Sequence, residues 1–204
     1  MISGNVKKVI GLLAVVILGV SFINQANAIG QGDWLLRFGA ASVNPNDKSS
    51  LPGLGVEDAQ AIFVNGTYML SDNIGLELLA STPFTHDITL AGSGKIAETK
   101  HLPPTFSVQY HFSPKQSFRP YVGAGINYTT FFSEKATAVI NSISLDDSLG
   151  LAVQAGFDVD INKDWFFNAD IRYIDIETTA STNIGDIEVT IDPTVISLGV
   201  GTRF

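Results

Sequence analysis

The chain has 204 residues and no cysteine, with 12 Lys and Arg against 20 Asp and Glu, a net charge of -8, 45% apolar residues and only 16% charged ones. Lack of Cys excludes a disulfide-stapled or Cys-ligated metal domain. The negative charge, with no Lys/Arg cluster longer than two residues, argues against a nucleic-acid partner. A soluble domain carries about a quarter charged residues, so this deficit, beside 19 Gly and 13 Phe, asks where water is absent.

Lys7 and Lys8, the apolar run from Val9 to Val20 broken only by Gly, and the small residues Ala26-Asn27-Ala28 read as a secretory signal peptide over 1–28. The apolar core is too short for an anchor helix, which needs about 20 residues. Cleavage after Ala28 leaves 176 residues, 29–204, and the loss of two Lys takes the net charge from -8 to -10. No later segment reaches about 18 consecutive apolar residues. The mature chain is then either a soluble secreted β protein or a closed barrel in an outer membrane.

In chain order, two-residue alternation marks eight strands. Weaker runs are Trp34 to Val43, Ala61 to Leu70 and Ile74 to Ala80. Phe106, Val108, Tyr110 and Phe112 then alternate with Thr105, Ser107, Gln109 and His111, and Val122, Ala124, Ile126 and Tyr128 with Gly123, Gly125, Asn127 and Thr129. The clearest run is Leu149, Leu151, Val153, Ala155, Phe157, Val159 and Ile161, interleaved with Gly150, Ala152, Gln154, Gly156, Asp158 and Asp160. Trp165 to Tyr173 and Ile196 to Phe204 complete the set. Short turns at Ser71-Asp72-Asn73, Ser113 to Ser117 and Asn162-Lys163-Asp164 take turns with loops at Asn44 to Asp58, Thr85 to Lys95, Ser133 to Asp147 and Ser181 to Asp186. The pattern predicts an all-β fold, an eight-stranded antiparallel up-and-down transmembrane barrel with short periplasmic turns.

Aromatics near strand ends fit this reading. Trp34, Phe112, Phe118, Tyr121, Trp165, Phe167 and Phe204 are expected in a lower interfacial girdle, and Phe84, Tyr128, Phe131, Phe132 and Tyr173 in an upper one. A secreted sandwich or lipocalin-like barrel would instead carry many Lys and Glu outside.

Specific segments carry a resemblance. They are Gly32-Asp33-Trp34 with Arg37 and Gly39, Asp72 to Ala80 followed by Thr82-Pro83-Phe84, His101-Leu102-Pro103-Pro104-Thr105, Arg119 to Thr129, Asn162-Lys163-Asp164-Trp165, and Gly201-Thr202-Arg203-Phe204. Over essentially the whole mature length the chain resembles the OmpW family of small outer-membrane proteins. The resemblance implies a barrel in the outer membrane of a Gram-negative bacterium, with a narrow, largely hydrophobic lumen associated with passage of small hydrophobic molecules. In some members it implies receptor or channel behaviour. Ser133 to Asp147 departs from the family pattern in being short and poor in Gly.

An eight-stranded barrel is filled by side chains and is no open pore. Leu35, Phe63, Met69 and Leu79 fall on the inward phase and are expected to line a substrate path in an apolar upper pocket above a polar plug. Arg37, Arg172 and Arg203 are expected to offset Glu77, Asp158 and Asp170 in a lumen charge network, since unpaired buried charges are costly. Pro103 and Pro104 break ladder pairing, because proline has no N–H to donate. With the family resemblance, they suggest lateral exit into the bilayer.

Three function classes compete: passive uptake of small hydrophobic molecules, a structural or surface-receptor protein bound by phage, toxin or host molecules, and a lipid-modifying enzyme. His86, His101 and His111, with Ser81 and Ser107 as conceivable nucleophiles, imply no triad. Val122 to Gly125 lacks the third Gly and following helix of a phosphate loop, and Asp146-Asp147 lacks metal-ligand spacing. No catalysis, metal or cofactor is therefore expected. The expected partners are small hydrophobic molecules, outer-membrane lipid, and the barrel-assembly machinery through the C-terminal strand ending in Phe204.

Overall fold

Strands form where side-chain character alternates, because an extended backbone sends successive residues to opposite faces. The computed structural model describes residues 28–137, 140–183 and 185–204. Apart from Ala28, the expected signal peptide lies outside the described residues.

Fifteen strands occur among the described residues. They are β1 (Trp34–Asn44), β2 (Lys48–Ser49), β3 (Leu54–Val56), β4 (Ala59–Met69), β5 (Ile74–Ser81), β6 (Phe84–Leu90), β7 (Gly94–Leu102) and β8 (Thr105–His111). After them come β9 (Phe118–Ala136), β10 (Ile143–Leu145), β11 (Ser148–Asp160), β12 (Trp165–Ile174), β13 (Glu177–Thr182), β14 (Gly185–Thr190) and β15 (Thr194–Arg203).

Eight of these close a cylinder in the order β1, β4, β5, β8, β9, β11, β12, β15, all antiparallel. The last strand returns to the first, with Leu35 opposite Arg203 and Asn44 opposite Thr194. This is the expected eight-stranded barrel. Joining β15 to β1 removes the free edges that lipid would leave unsatisfied. The outer wall is apolar in the expected phase: Leu149 is 73% exposed, Leu151 66% and Val153 52%.

The long connections differ from expectation. Rather than a loop over Thr85 to Lys95, β6 and β7 form a hairpin turning at Ala91-Gly92-Ser93, and β3 pairs with the free side of β6. A second hairpin, β13–β14, is flanked by β10 and β2, which come from the segments expected to be loops over Ser133 to Asp147 and Asn44 to Asp58. In the β6–β7 hairpin the alternation persists with reversed sense. His86, Ile88, Thr99 and His101 are buried, whereas Thr85, Asp87, Glu98 and Lys100 alternate with them on the other face and stay partly or fully exposed. A polar outer face belongs in water, so this hairpin stands above the hydrocarbon layer.

The girdles also need correction. Trp34, Phe112, Phe118, Trp165 and Phe204 are exposed as expected of the lower girdle, and Tyr128 and Tyr173 as expected of the upper. Tyr121, Phe84 and Phe131 instead point into the barrel and are buried. Their positions near strand ends suggested the interface, but they lie on the inward phase of the two-residue period.

Glycines make room for two of the lumen rings. A Cβ on Gly201 would lie 2.4 Å from Phe166 Cζ, and one on Gly156 2.5 Å from Tyr121 Oη.

Candidate functional site

Inward residues divide the lumen into three zones. At the periplasmic end Ile29, Leu35, Met69 and Phe166 form a fully buried apolar seal. Above it lies a charged layer, and above that an apolar cluster that includes Val43, Phe63, Phe84, Phe131, Ile174 and Val195.

The charged layer is built from strands that meet only because the sheet closes. Arg37 on β1 grips Asp158 on β11 with both arms of its fork, Nε donating to Oδ1 at 3.0 Å and Nη2 to Oδ2 at 2.7 Å. Its Nη1 donates to Thr67 Oγ1 at 2.9 Å, and its guanidinium lies over the Tyr121 and Phe166 rings at 5.2 and 5.5 Å. Asn168 Nδ2 supplies Asp158 Oδ1 with another donor at 2.8 Å. Such bidentate, multiply supported pairs offset the cost of taking ions out of water.

Nearer the apolar zone, Arg172 Nη2 donates to Glu77 Oε1 at 2.9 Å and to Gln154 Oε1. Glu77 also accepts from Gln154 Nε2 at 3.1 Å and from Gln109 Nε2 at 2.8 Å, while Asp170 stands 3.6 Å from Arg172 Nε. At the base, Arg119 Nη2 and Arg203 Nη1 approach Asp160 Oδ1 at 2.7 and 3.5 Å, as ion contacts rather than aligned hydrogen bonds. Every ion named here has a counter-ion.

Two cavities lie above this floor. The upper, about 100 Å³, is lined mainly by aliphatic side chains with His86, His101 and Phe131 among them. The lower, about 20 Å³, is bounded by Phe63, Leu79, Phe84, Pro103, Ile174 and Arg172, among others. His101 borders both. It stacks between the rings of His86, at 4.9 Å and 15°, and Phe84, at 5.4 Å and 21°.

Beside the lower cavity the wall is interrupted. Pairing of β5 with β8 stops at Leu79 opposite Thr105, and pairing resumes only at Phe84 opposite His101 in β6 and β7. Pro103 and Pro104 sit in the break. On the other flank their carbonyls are satisfied, since Asn127 Nδ2 donates to both at 3.0 and 3.2 Å and Tyr128 N donates to Pro104 O at 3.0 Å. The prolines have no N–H, so they leave no unmet donor on the side of the gap.

A family model described as the OmpW family matches residues 30–204. The chain belongs to the OmpW family. Outer membrane protein W of Vibrio cholerae is 45% identical over 85% of this chain and 89% of its own. The crystal structure of the outer-membrane protein OprG from Pseudomonas aeruginosa superposes with a TM-score of 0.82 at 36% identity, covering 87% of this chain and 98% of that one. The dibenzothiophene metabolism operon protein PahQ of Pseudomonas aeruginosa is 30% identical over 85% of this chain and 90% of its own. This OmpW-family barrel accordingly resides in the outer membrane of a Gram-negative bacterium.

Within the OmpW-family lumen the four residues expected on one substrate path separate. Phe63 and Leu79 border the lower cavity. Leu35 and Met69 lie below the charged layer, in the basal seal. They share the inward phase with Phe63 and Leu79 but stand near the periplasmic ends of β1 and β4. Of the six charged residues, Arg37, Asp158, Glu77, Arg172 and Asp170 gather in the central layer, while Arg203 joins Asp160 and Arg119 beneath it.

Sequence reasoning gave no site role to Arg119, Asn127, Phe166 and Asn168, although Asn127 was placed on the inward phase. Phe166 and Asn168 share the inward phase of Asp170 and Arg172, so strict phasing finds them. Arg119, beside a turn and before Pro120, reads as a turn residue until Tyr121 is known to face inward.

Proposed function

We propose that this barrel passively admits small hydrophobic molecules from outside the cell and releases them sideways into the bilayer at Pro103 and Pro104. The observation that carries the reading is an apolar lumen that ends on a charged floor with a break in the wall at that height. An apolar molecule moving down would part Arg172 from Glu77 and strand buried charges, at a cost of several kcal/mol. Moving sideways, it meets Leu79 and Pro103 and then lipid, with no polar partner to replace. The name of the PahQ relative refers to dibenzothiophene metabolism, and dibenzothiophene is an apolar aromatic compound of the class this route suits.

Nothing in this route makes or breaks a covalent bond, so the reading is transport without catalysis. Lipid is the partner of the outer wall, and the terminal strand with Phe204 is the segment we assign to the barrel-assembly machinery.

The test is the initial uptake rate of radiolabelled naphthalene by cells with an intact outer membrane, compared between cells with the protein, without it, and with Pro103→Val/Pro104→Val. Valine restores the donors that let β5 and β8 pair across the break. Uptake should rise with the protein and fall to the protein-free rate with the double variant. Equal uptake in all three would end the transport reading. Uptake that depends on the protein but ignores the variant would end only the sideways route.

A further inference from the structure

The upper cavity is almost wholly apolar, yet two imidazoles stand in its wall. Its other polar lining groups are engaged: Thr99 Oγ1 donates to Lys100 O at 3.4 Å and Thr182 Oγ1 to Gly185 O at 2.7 Å. The imidazoles are not fully engaged. His86 Nδ1 lies 2.6 Å from the carbonyl oxygen of Glu57, and an acceptor there places the ring proton on Nδ1. His86 Nε2 is then a bare lone pair, and it has no partner among the described residues. His101 Nδ1 likewise has none. Both residues are at most 3% exposed, and the rings are held parallel at 4.9 Å. Two unmet ring nitrogens in a buried wall carry a desolvation cost that no partner offsets, and aromatic or aliphatic residues would pack the same space without that cost.

We infer that the His86–His101 stack is a hydroxyl-recognition site, and that the molecule this cavity accepts is a small apolar alcohol. This rests on the uptake reading and narrows its substrate class. A hydroxyl both donates and accepts, so it gives its hydrogen to His86 Nε2 and takes one from His101 in its Nδ1–H form. An alkane satisfies neither nitrogen, and a ketone has no hydrogen for His86. A carboxylate brings a charge that two neutral rings do not balance. Burial keeps them neutral, lowering the His86 pKa and pushing that of His101 down to about 3. Sealed apolar cavities of about 150 Å³ hold benzene, so about 100 Å³ with the small cavity below suits a chain of roughly six carbons.

The probes are 1-hexanol, n-hexane and hexanoate, titrated into the full barrel in lipid nanodiscs. Binding is read from the methyl signals of Ile88 and Ile96 and from ¹⁵N-labelled imidazole nitrogens. We expect saturable ¹⁵N shifts at His86 and His101 with 1-hexanol and none with n-hexane. In His86→Phe/His101→Phe, which keeps the rings, 1-hexanol affinity should fall about fivefold and n-hexane affinity should hold or rise. If the double variant does not fold, the ¹⁵N titration of the native protein decides alone. Equal imidazole shifts with both probes, unchanged 1-hexanol affinity in the variant, or preference for hexanoate would each overturn the hydroxyl site while leaving hydrophobic uptake standing. Absence of binding by every probe would overturn the site as well. Uptake itself fails separately, on the naphthalene rates above.

Discussion

At the scale of single residues the floor rests on pairs whose members are useless alone. Glu77 accepts from Arg172, Gln154 and Gln109 at once. Replacing it with Ala strands a buried guanidinium, and breaking such a pair costs about 3–5 kcal/mol. The expected outcome for Glu77→Ala is a loss of that size in urea unfolding of the detergent-solubilised barrel. Glu77→Leu/Arg172→Leu should recover most of it, because two apolar side chains leave no ion unpaired. The need for a charge at each position was legible in the sequence, since no ionised group belongs unpaired in a narrow lumen. Its partner was not legible. Glu77 and Arg172 stand 95 residues apart, and pairing them requires the register of every strand between them.

At the scale of elements, the barrel strands were readable and the hairpins above them were not, for one reason. Over most of the membrane strands the outer face is apolar and the inner face polar or small, with Leu35, Phe63, Met69, Leu79 and Phe166 as inward exceptions, so alternation stands out as apolar-outward. In β6 and β7 the outer face meets water and the inner face is apolar, and the inverted pattern with Asp87, Lys95 and Glu98 on it reads as loop. The same residues tie the hairpin together at its surface, with Lys95 Nζ 2.6 Å from Asp87 and 2.9 Å from Glu98. Inside it, the two buried imidazoles make stability depend on pH. Their folded pKa values are lowered by burial, with the Glu57 carbonyl and, more weakly, Asp58 and Asp87 opposing this at His86. An opened hairpin takes up protons below about pH 6.5, whereas folded His101 stays neutral down to about 3. Hairpin stability therefore falls as pH drops from 6.5 towards 3. Hydrogen-exchange protection factors of β6 and β7 amides should be lower at pH 5 than at pH 7.5. His101→Phe should reduce the difference.

At the scale of the whole molecule, low charge is a consequence of which solvent each face meets. Half the positions of eight strands face hydrocarbon, and that is where the missing charged residues would otherwise stand. Val153 lies mid-strand on this face. Val153→Arg should cost about 2–4 kcal/mol in folding into lipid vesicles, as for a lipid-facing charge near the midplane, while Thr85→Arg, outward but above the lipid, should cost about 0–1. Similar losses at both sites would place the membrane boundary elsewhere.

The charged floor also sets an order of events in time. Arg37 and Asp158 are 121 residues apart and sit on strands that approach one another only when β15 has reached β1. Before that moment their charges belong in water, since carrying them unpaired into lipid costs several kcal/mol apiece. A half-built sheet is thus held back at the membrane surface, and joining the first strand to the last is what releases it. In an unclosed sheet these same charges act as a latch, so that insertion and closure happen together.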